Sequence, residues 1–190
     1  MNLSNDLGYI ELLKQGDSKA FSLLVDNFQH PIYNTVLNIT QCTAEAEDIT
    51  QEVFLLIYKN VHQFRGESKL STWIYKIAIS KSLEWERRKK SKRAIGYFKN
   101  LIGLTSLENE IVEFIHPGVS LENKENAHLL FKAMQLLPSN QRIAFILINI
   151  EGLTYLEVSD IMKKSIKSIE GLVQRAKENL RKKLAKNYSS

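Results

Sequence analysis

The side chains with the richest chemistry in this chain are four histidines (His30, His62, His116 and His128) and one cysteine, Cys42. Their spacing argues against a reaction centre. No two histidines stand four residues apart, as a metal-binding helix face requires, and Cys42 lies in no nucleophile signature. No glycine loop has the spacing that cradles phosphate. Catalysis, metal ions and cofactors are therefore not expected. What the sequence concentrates instead is charge. Ser80 to Arg93 holds seven basic residues against two acidic ones, and Lys163 to Lys186 holds nine against two. Ala44 to Glu52 carries four acids and no base. Such asymmetry predicts nucleic acid on two surfaces and a different partner on a third. Phe64, Trp73, Tyr75 and Trp85 lie near the first basic run. Aromatic rings interleaved with positive charge suit unpaired bases, which stack on the rings while lysine and arginine neutralise phosphates. The competing reading makes Trp73 and Tyr75 core residues and the basic run a solvated helix end.

A second pattern lies near the C-terminus. Thr154 stands three residues before Glu157, the spacing of a capping box, ahead of a short helix with Leu156, Val158 and Ile161 as its apolar residues. Lys163, Lys164 and Ser165 interrupt it, and Ser165 is placed to cap another helix. There Ile166, Ile169, Leu172, Val173 and Ala176 recur at steps of three and four and define one buried face. The other face presents Lys167, Ser168, Glu170, Gly171, Gln174, Arg175 and Lys177. A helix-turn-helix whose second helix is polar and basic in its N-terminal half fits a DNA major groove. An ordinary helical hairpin with a solvated face competes with this reading.

The elements that must position these residues are helical. The chain has 190 residues, 44% of them apolar, with only three prolines and eight glycines. That is enough for one domain or two small ones, with room for long helices. Periodicity predicts an all-α chain of two small helical domains, 8–92 and 121–187, joined by a flexible linker over 93–120. Gly16-Asp17 reads as a helix stop and a cap, and Pro31 as a kink or a new start. Thr43 is expected to cap the acidic helix. A single cysteine excludes an internal disulfide and fits a reducing compartment. No apolar run approaches the roughly eighteen residues of a membrane span, and no signal peptide is evident. A cytoplasmic protein without membrane insertion is expected.

Taken together, these segments resemble a known family. Ala46-Glu-Asp-Ile-Thr-Gln-Glu-Val-Phe54, Phe64-Arg-Gly and Ser71-Thr-Trp-Ile-Tyr-Lys-Ile-Ala78 are similar to region 2 of bacterial sigma factors. Leu137-Pro-Ser-Asn-Gln-Arg142, Glu151-Gly-Leu-Thr-Tyr-Leu-Glu157 and Gln174-Arg-Ala176 are similar to their region 4. The two blocks with a short linker between them resemble the extracytoplasmic-function (ECF) subfamily, from about Gly16 to Leu184. The stretch Ser168 to Lys177 resembles the Bacteroidetes members. The resemblance implies that Glu47, Asp48, Gln51, Glu52 and Phe54 dock on core RNA polymerase. It gives minus-ten recognition and melting to Phe64, Arg65, Ser68, Trp73, Tyr75, Lys76, Ser80, Arg87 and Arg88. It gives the minus-thirty-five element of promoter DNA to Lys167, Ser168, Glu170, Gly171, Gln174 and Arg175. It implies no cofactor, and as a further partner an anti-sigma factor, often membrane-anchored.

Three departures from the family pattern stand out. Ile79-Ser80 replaces a frequent Arg-Asn, Lys163 replaces a frequent turn glycine, and Glu170 stands where many members have a base. Glu170 loses a phosphate contact but can accept from a cytosine amino group. The alternative function is an operator-binding helix-turn-helix regulator that never enters the polymerase. That class normally dimerises on paired half-sites, and no sustained heptad seam is obvious here.

Overall fold

A computed structural model describes residues 7–101 and 129–187. Its helices are α1 (Leu7–Lys14), α2 (Ser18–Thr40), α3 (Thr43–Asn60) and α4 (Leu70–Leu101), then α5 (residues 129–135), α6 (Ser139–Phe145), α7 (Tyr155–Met162) and α8 (Ile166–Asn187). A 3-10 turn, Val61–Gln63, follows α3, and a π-helical turn, Ile146–Ile150, follows α6. No strand occurs among the described residues. None of their helices is long and apolar enough to cross a membrane.

The first unit is built by local signals. Gly16 at φ +79° ends α1, and the Gly16 and Asp17 amides return to the carbonyls of Leu13 and Leu12. This closure needs a left-handed residue, which glycine adopts without penalty. Asp17 then caps α2, its Oδ1 accepting the Ala20 amide at 2.7 Å. Pro31 does not start a new helix; it lies inside α2. Its missing amide costs on the order of 3 kcal/mol. Ile32, Val36 and Ile39 beyond it are buried, and each such side chain returns about 1.5–3 kcal/mol, so the helix runs through. Thr43 is not the cap of α3: Cys42 holds that position without a side-chain bond. Gln41, at φ +55°, closes α2 onto the Leu37 carbonyl at 2.8 Å and leaves one extended residue between the helices.

α4 runs to Leu101, into residues expected as linker. Ser91-Lys-Arg-Ala is compatible with helix, so the weak periodicity there reflects the absence of an apolar stripe rather than of helical propensity. Residues 102–128, which hold the rest of that linker, the start of the second unit, His116 and His128, lie outside the described residues.

In the second unit, the capping box of α7 is complete. Thr154 Oγ1 accepts the Glu157 amide at 3.3 Å, and Glu157 Oε2 accepts the Thr154 amide at 2.8 Å. Lys163 takes the left-handed conformation at φ +52°, a geometry that glycine adopts most readily. The Lys164 amide bonds the Ser159 carbonyl, and Ser159 Oγ bonds the Lys164 carbonyl at 2.6 Å, holding the turn despite the added side chain. Ser165 caps α8 by accepting the Ser168 amide at 3.2 Å. Ile169, Val173, Ala176 and Leu180 form its buried stripe, but Ile166 is exposed. As the first helical residue it precedes the turns that pack on the core. Thr154→Ala should cost about 1 kcal/mol, lowering the melting temperature by about 2–4 °C in a thermal scan.

The two units are packed on each other. Leu24, Ile57, Leu70 and Ile74 of the first and Ile143, Leu147 and Ile169 of the second are fully buried, within one continuous apolar cluster. α4 meets α7, while α2 meets α6 and the π turn.

Candidate nucleic-acid interface

Four constellations are placed by this fold. The first is the outward face of α8. Lys167, Glu170, Gln174 and Arg175 are exposed there, with Ser168 and Gly171 half-buried between them. The Arg175 guanidinium lies over Gly171, where an added Cβ would stand 3.5 Å from Nη1. Gln174 Nε2 donates to Glu178 Oε1 at 3.2 Å. The expected groove-facing residues thus share one surface, and Ile169 and Val173 on the reverse side anchor it.

The second is the aromatic and basic surface at the start of α4. Arg65, Ser80, Arg87 and Arg88 are exposed and Ser68 is half-buried. Arg65 stands 3.9 Å from Glu67 in open solvent, a geometry that contributes little. Three of the four aromatics depart from the expected base-stacking role. Phe64 is only 4% exposed, because the 3-10 turn before it tucks its ring against Trp73, centroids 5.5 Å apart. Tyr75 is buried, and its Oη donates to Glu151 Oε2 at 2.8 Å. Trp73 stays half-buried on a cleft of about 700 Å³ shared with Lys76, Ile77, Ile161 and Met162. Trp85 is buried as well, with Lys89 Nζ 4.5 Å from its ring centroid.

The third is α3. Glu47, Asp48 and Gln51 are exposed, and Phe54 is half-buried. Glu52 is engaged within the chain: Lys81 Nζ donates to its Oε1 at 2.6 Å and to Glu84 at 3.3 Å. The bond to Glu52 leads the causes that raise the Lys81 pKa. Sequence reasoning missed Leu55 and Tyr58, which are 60% and 56% exposed. With Phe21, Val25, Gln51 and Phe54 they line an apolar cleft of about 450 Å³. The available signal was that α3 carries more large apolar residues than one buried stripe needs.

The fourth, also missed, is the polar seam between the units. Glu151 accepts Thr35 Oγ1 at 2.7 Å as well as Tyr75 Oη. Burial pushes the Glu151 carboxyl up, with the two hydrogen bonds opposing it. Burial and then Glu151 hold Tyr75 far above its ordinary value, so the phenol remains the donor. Glu157 takes Lys69 Nζ at 2.8 Å, and Asp160 takes Lys76 Nζ at 2.7 Å. Burial raises the Glu157 pKa, but the bonds from Lys69 and Thr154 outweigh it and leave a net lowering. Arg142 pairs with Glu86, both nearly buried, and Gln41 Nε2 donates to the Phe131 carbonyl at 3.0 Å.

Comparison with known proteins follows the same division. The family model for sigma-70 region 2 matches residues 24–92, and that for sigma-70 region 4 matches residues 127–180. The chain is 30% identical to the RNA polymerase sigma-H factor of Pseudomonas aeruginosa over 186 residues, covering 94% of this chain and 93% of that protein. It is 28% identical to the ECF RNA polymerase sigma factor SigW of Bacillus subtilis, over 92% of this chain and 94% of that one. In fold it is similar to CnrH, solved in complex with the cytosolic domain of CnrY: TM-score 0.69, 15% identity, 93% of this chain and 95% of that one. It is similar also to the sigma factor RpoE of Bartonella quintana, solved with the anti-sigma factor NepR: TM-score 0.67, 21% identity, 88% of this chain and 98% of that one.

Proposed function

The chain belongs to the sigma-70 family, as a sigma factor of the extracytoplasmic-function kind, and from that premise we propose how its surfaces divide the work. Its function is to direct core RNA polymerase to promoters and to assist their opening. Residues 8–92 bind polymerase and recognise and melt the minus-ten element, 93–120 link, and 121–187 read the minus-thirty-five element. The observation that carries this reading is the single outward row of Lys167, Glu170, Gln174 and Arg175 on a capped helix behind a tight turn. Arg65, Trp73, Lys76, Ser80, Arg87 and Arg88 serve the minus-ten element, with Ser68 at its edge. Phe64 and Tyr75 support that surface from beneath.

Polymerase binding falls to the exposed acids of α3 together with its apolar cleft, so Leu55 and Tyr58 join Glu47, Asp48, Gln51, Glu52 and Phe54. The chain makes and breaks no bond itself and works in the cytoplasm, where polymerase and promoter meet. Its α8 sequence supports a place near the Bacteroidetes members. An anti-sigma factor is its further partner, a reading supported by the similar sigma factor solved with one.

In vitro transcription with core polymerase on genomic fragments tests this directly. Discrete transcripts that depend on the chain are expected, and co-elution without any promoter-specific transcript would refute it. For polymerase docking, Asp48→Lys is a cleaner probe than a change at Glu52, whose loss would also release Lys81. Reversal of this rim charge should weaken core binding several-fold at low salt, with an unchanged melting temperature. Equal affinity in a titration against labelled core enzyme would remove Asp48 from the interface.

A further inference from the structure

α7 carries two carboxylates onto the face of α4 that this reading gives to DNA. Glu157 holds Lys69, just before α4, and Asp160 holds Lys76 about two turns further on. Deeper in the seam, Glu151 takes the buried Tyr75 hydroxyl. Trp73 and Ile77 line a cleft completed by Ile161 and Met162 of α7. A carboxylate at hydrogen-bond distance from an ammonium offers the charge and acceptor oxygens that a phosphate would. α7 thus meets this surface as a DNA strand would, with anionic oxygens on the lysines and apolar groups toward the aromatic ring.

We propose that α7 is an intramolecular stand-in for the promoter backbone. With the units docked, Glu157 and Asp160 occupy Lys69 and Lys76, and the second unit masks the melting face of the first until the units separate. The proposal rests on reading that α4 face as a DNA surface. Apparent affinity for a strand is then the intrinsic affinity reduced by the fraction of chains that are undocked. It also alters salt dependence. A lysine that exchanges a carboxylate for a phosphate releases no net counterion, whereas a lysine left unpaired contributes about 0.7 to the slope on a single strand.

The test is the full-length double variant Glu157→Gln with Asp160→Asn. Gln at position 157 preserves the capping box, which accepts either side chain, and circular dichroism checks that helicity is retained. Glu11→Gln with Asp26→Asn removes the same charge away from the seam and serves as the control. Binding of a fluorescein-labelled, random-sequence 20-nucleotide single strand is followed by anisotropy across salt. Small-angle scattering reads the radius of gyration over the same range. The seam variant should bind roughly 3- to 10-fold tighter than the control, with a slope steeper by about 1.4 for two lysines, and should expand at lower salt than wild type. Affinity and slope equal to those of the control overturn the proposal. Expansion with no strand bound by any form, free or on core polymerase, overturns the DNA reading of α4 and the masking with it, leaving a plain contact between units.

Discussion

Replacing Arg142 with alanine is expected to cost about 3–5 kcal/mol of stability, as removal of one member of a buried ion pair does. Arg142 comes from α6 and Glu86 from α4, and both side chains are 9% exposed. Arg142 Nη1 also reaches the Gln135 carbonyl at 3.4 Å, which ties α5 to the same point. Burial lowers the Arg142 pKa, the direction expected when desolvation works against the charged form. Without the guanidinium, Glu86 would remain a buried carboxylate with no compensating charge. At about 2–4 °C per kcal/mol for a chain of this size, the transition should fall by roughly 6–20 °C in a calorimetric scan. The double variant Arg142→Met with Glu86→Leu should recover most of that loss, since an apolar pair of similar volume often equals or exceeds a buried ion pair. A fall below about 2 °C for the single variant would mean that water reaches the pair and screens it.

What the sequence revealed and what it concealed separate along one physical line. The caps at Asp17, Thr154 and Ser165 and the stop at Gly16 are interactions between residues three to five apart, so spacing alone predicts them. The outward face of α8 follows from a single helix repeat and was equally legible. The seam was not. Thr35 meets Glu151 across 116 positions and Tyr75 meets it across 76. In a linear reading Glu86, Arg142 and Asp160 are ordinary surface charges, and Glu157 is only the partner in a helix cap. Only the packing of the first unit on α6 and α7 makes them partners. Tertiary packing also decides the aromatics: Phe64 and Tyr75 have the composition of a base-stacking site, but one lies in the core against Trp73 and the other in the seam. Local chemistry identifies a residue type that suits DNA, and tertiary contacts decide whether its side chain is available.

Arg175→Ala should weaken binding of the minus-thirty-five element by roughly 10- to 100-fold, the loss of a charge-assisted hydrogen bond worth about 1.5–3 kcal/mol. Arg175 is exposed in the N-terminal half of α8 and has no ion-pair partner among the described residues, so its charge is available to the duplex. Its guanidinium lies over Gly171, which has no side chain to displace it. Gln174, by contrast, is held by Glu178, and Glu170 can only accept hydrogen bonds. The role assigned to Arg175 is a phosphate contact, which makes a specific prediction for the polymerase holoenzyme on promoter fragments recovered by transcription. The affinity loss should be the same for every minus-thirty-five sequence, and the slope of log affinity against log salt should fall by about 0.9. Glu170→Gln should do the reverse, changing preference at one base pair and leaving overall affinity for other sequences nearly intact. If the Arg175 variant kept its salt slope and lost affinity only for promoters with a guanine at one position, Arg175 would be reading a base edge. The helix would then sit rotated in the groove, with Glu170 turned toward the backbone.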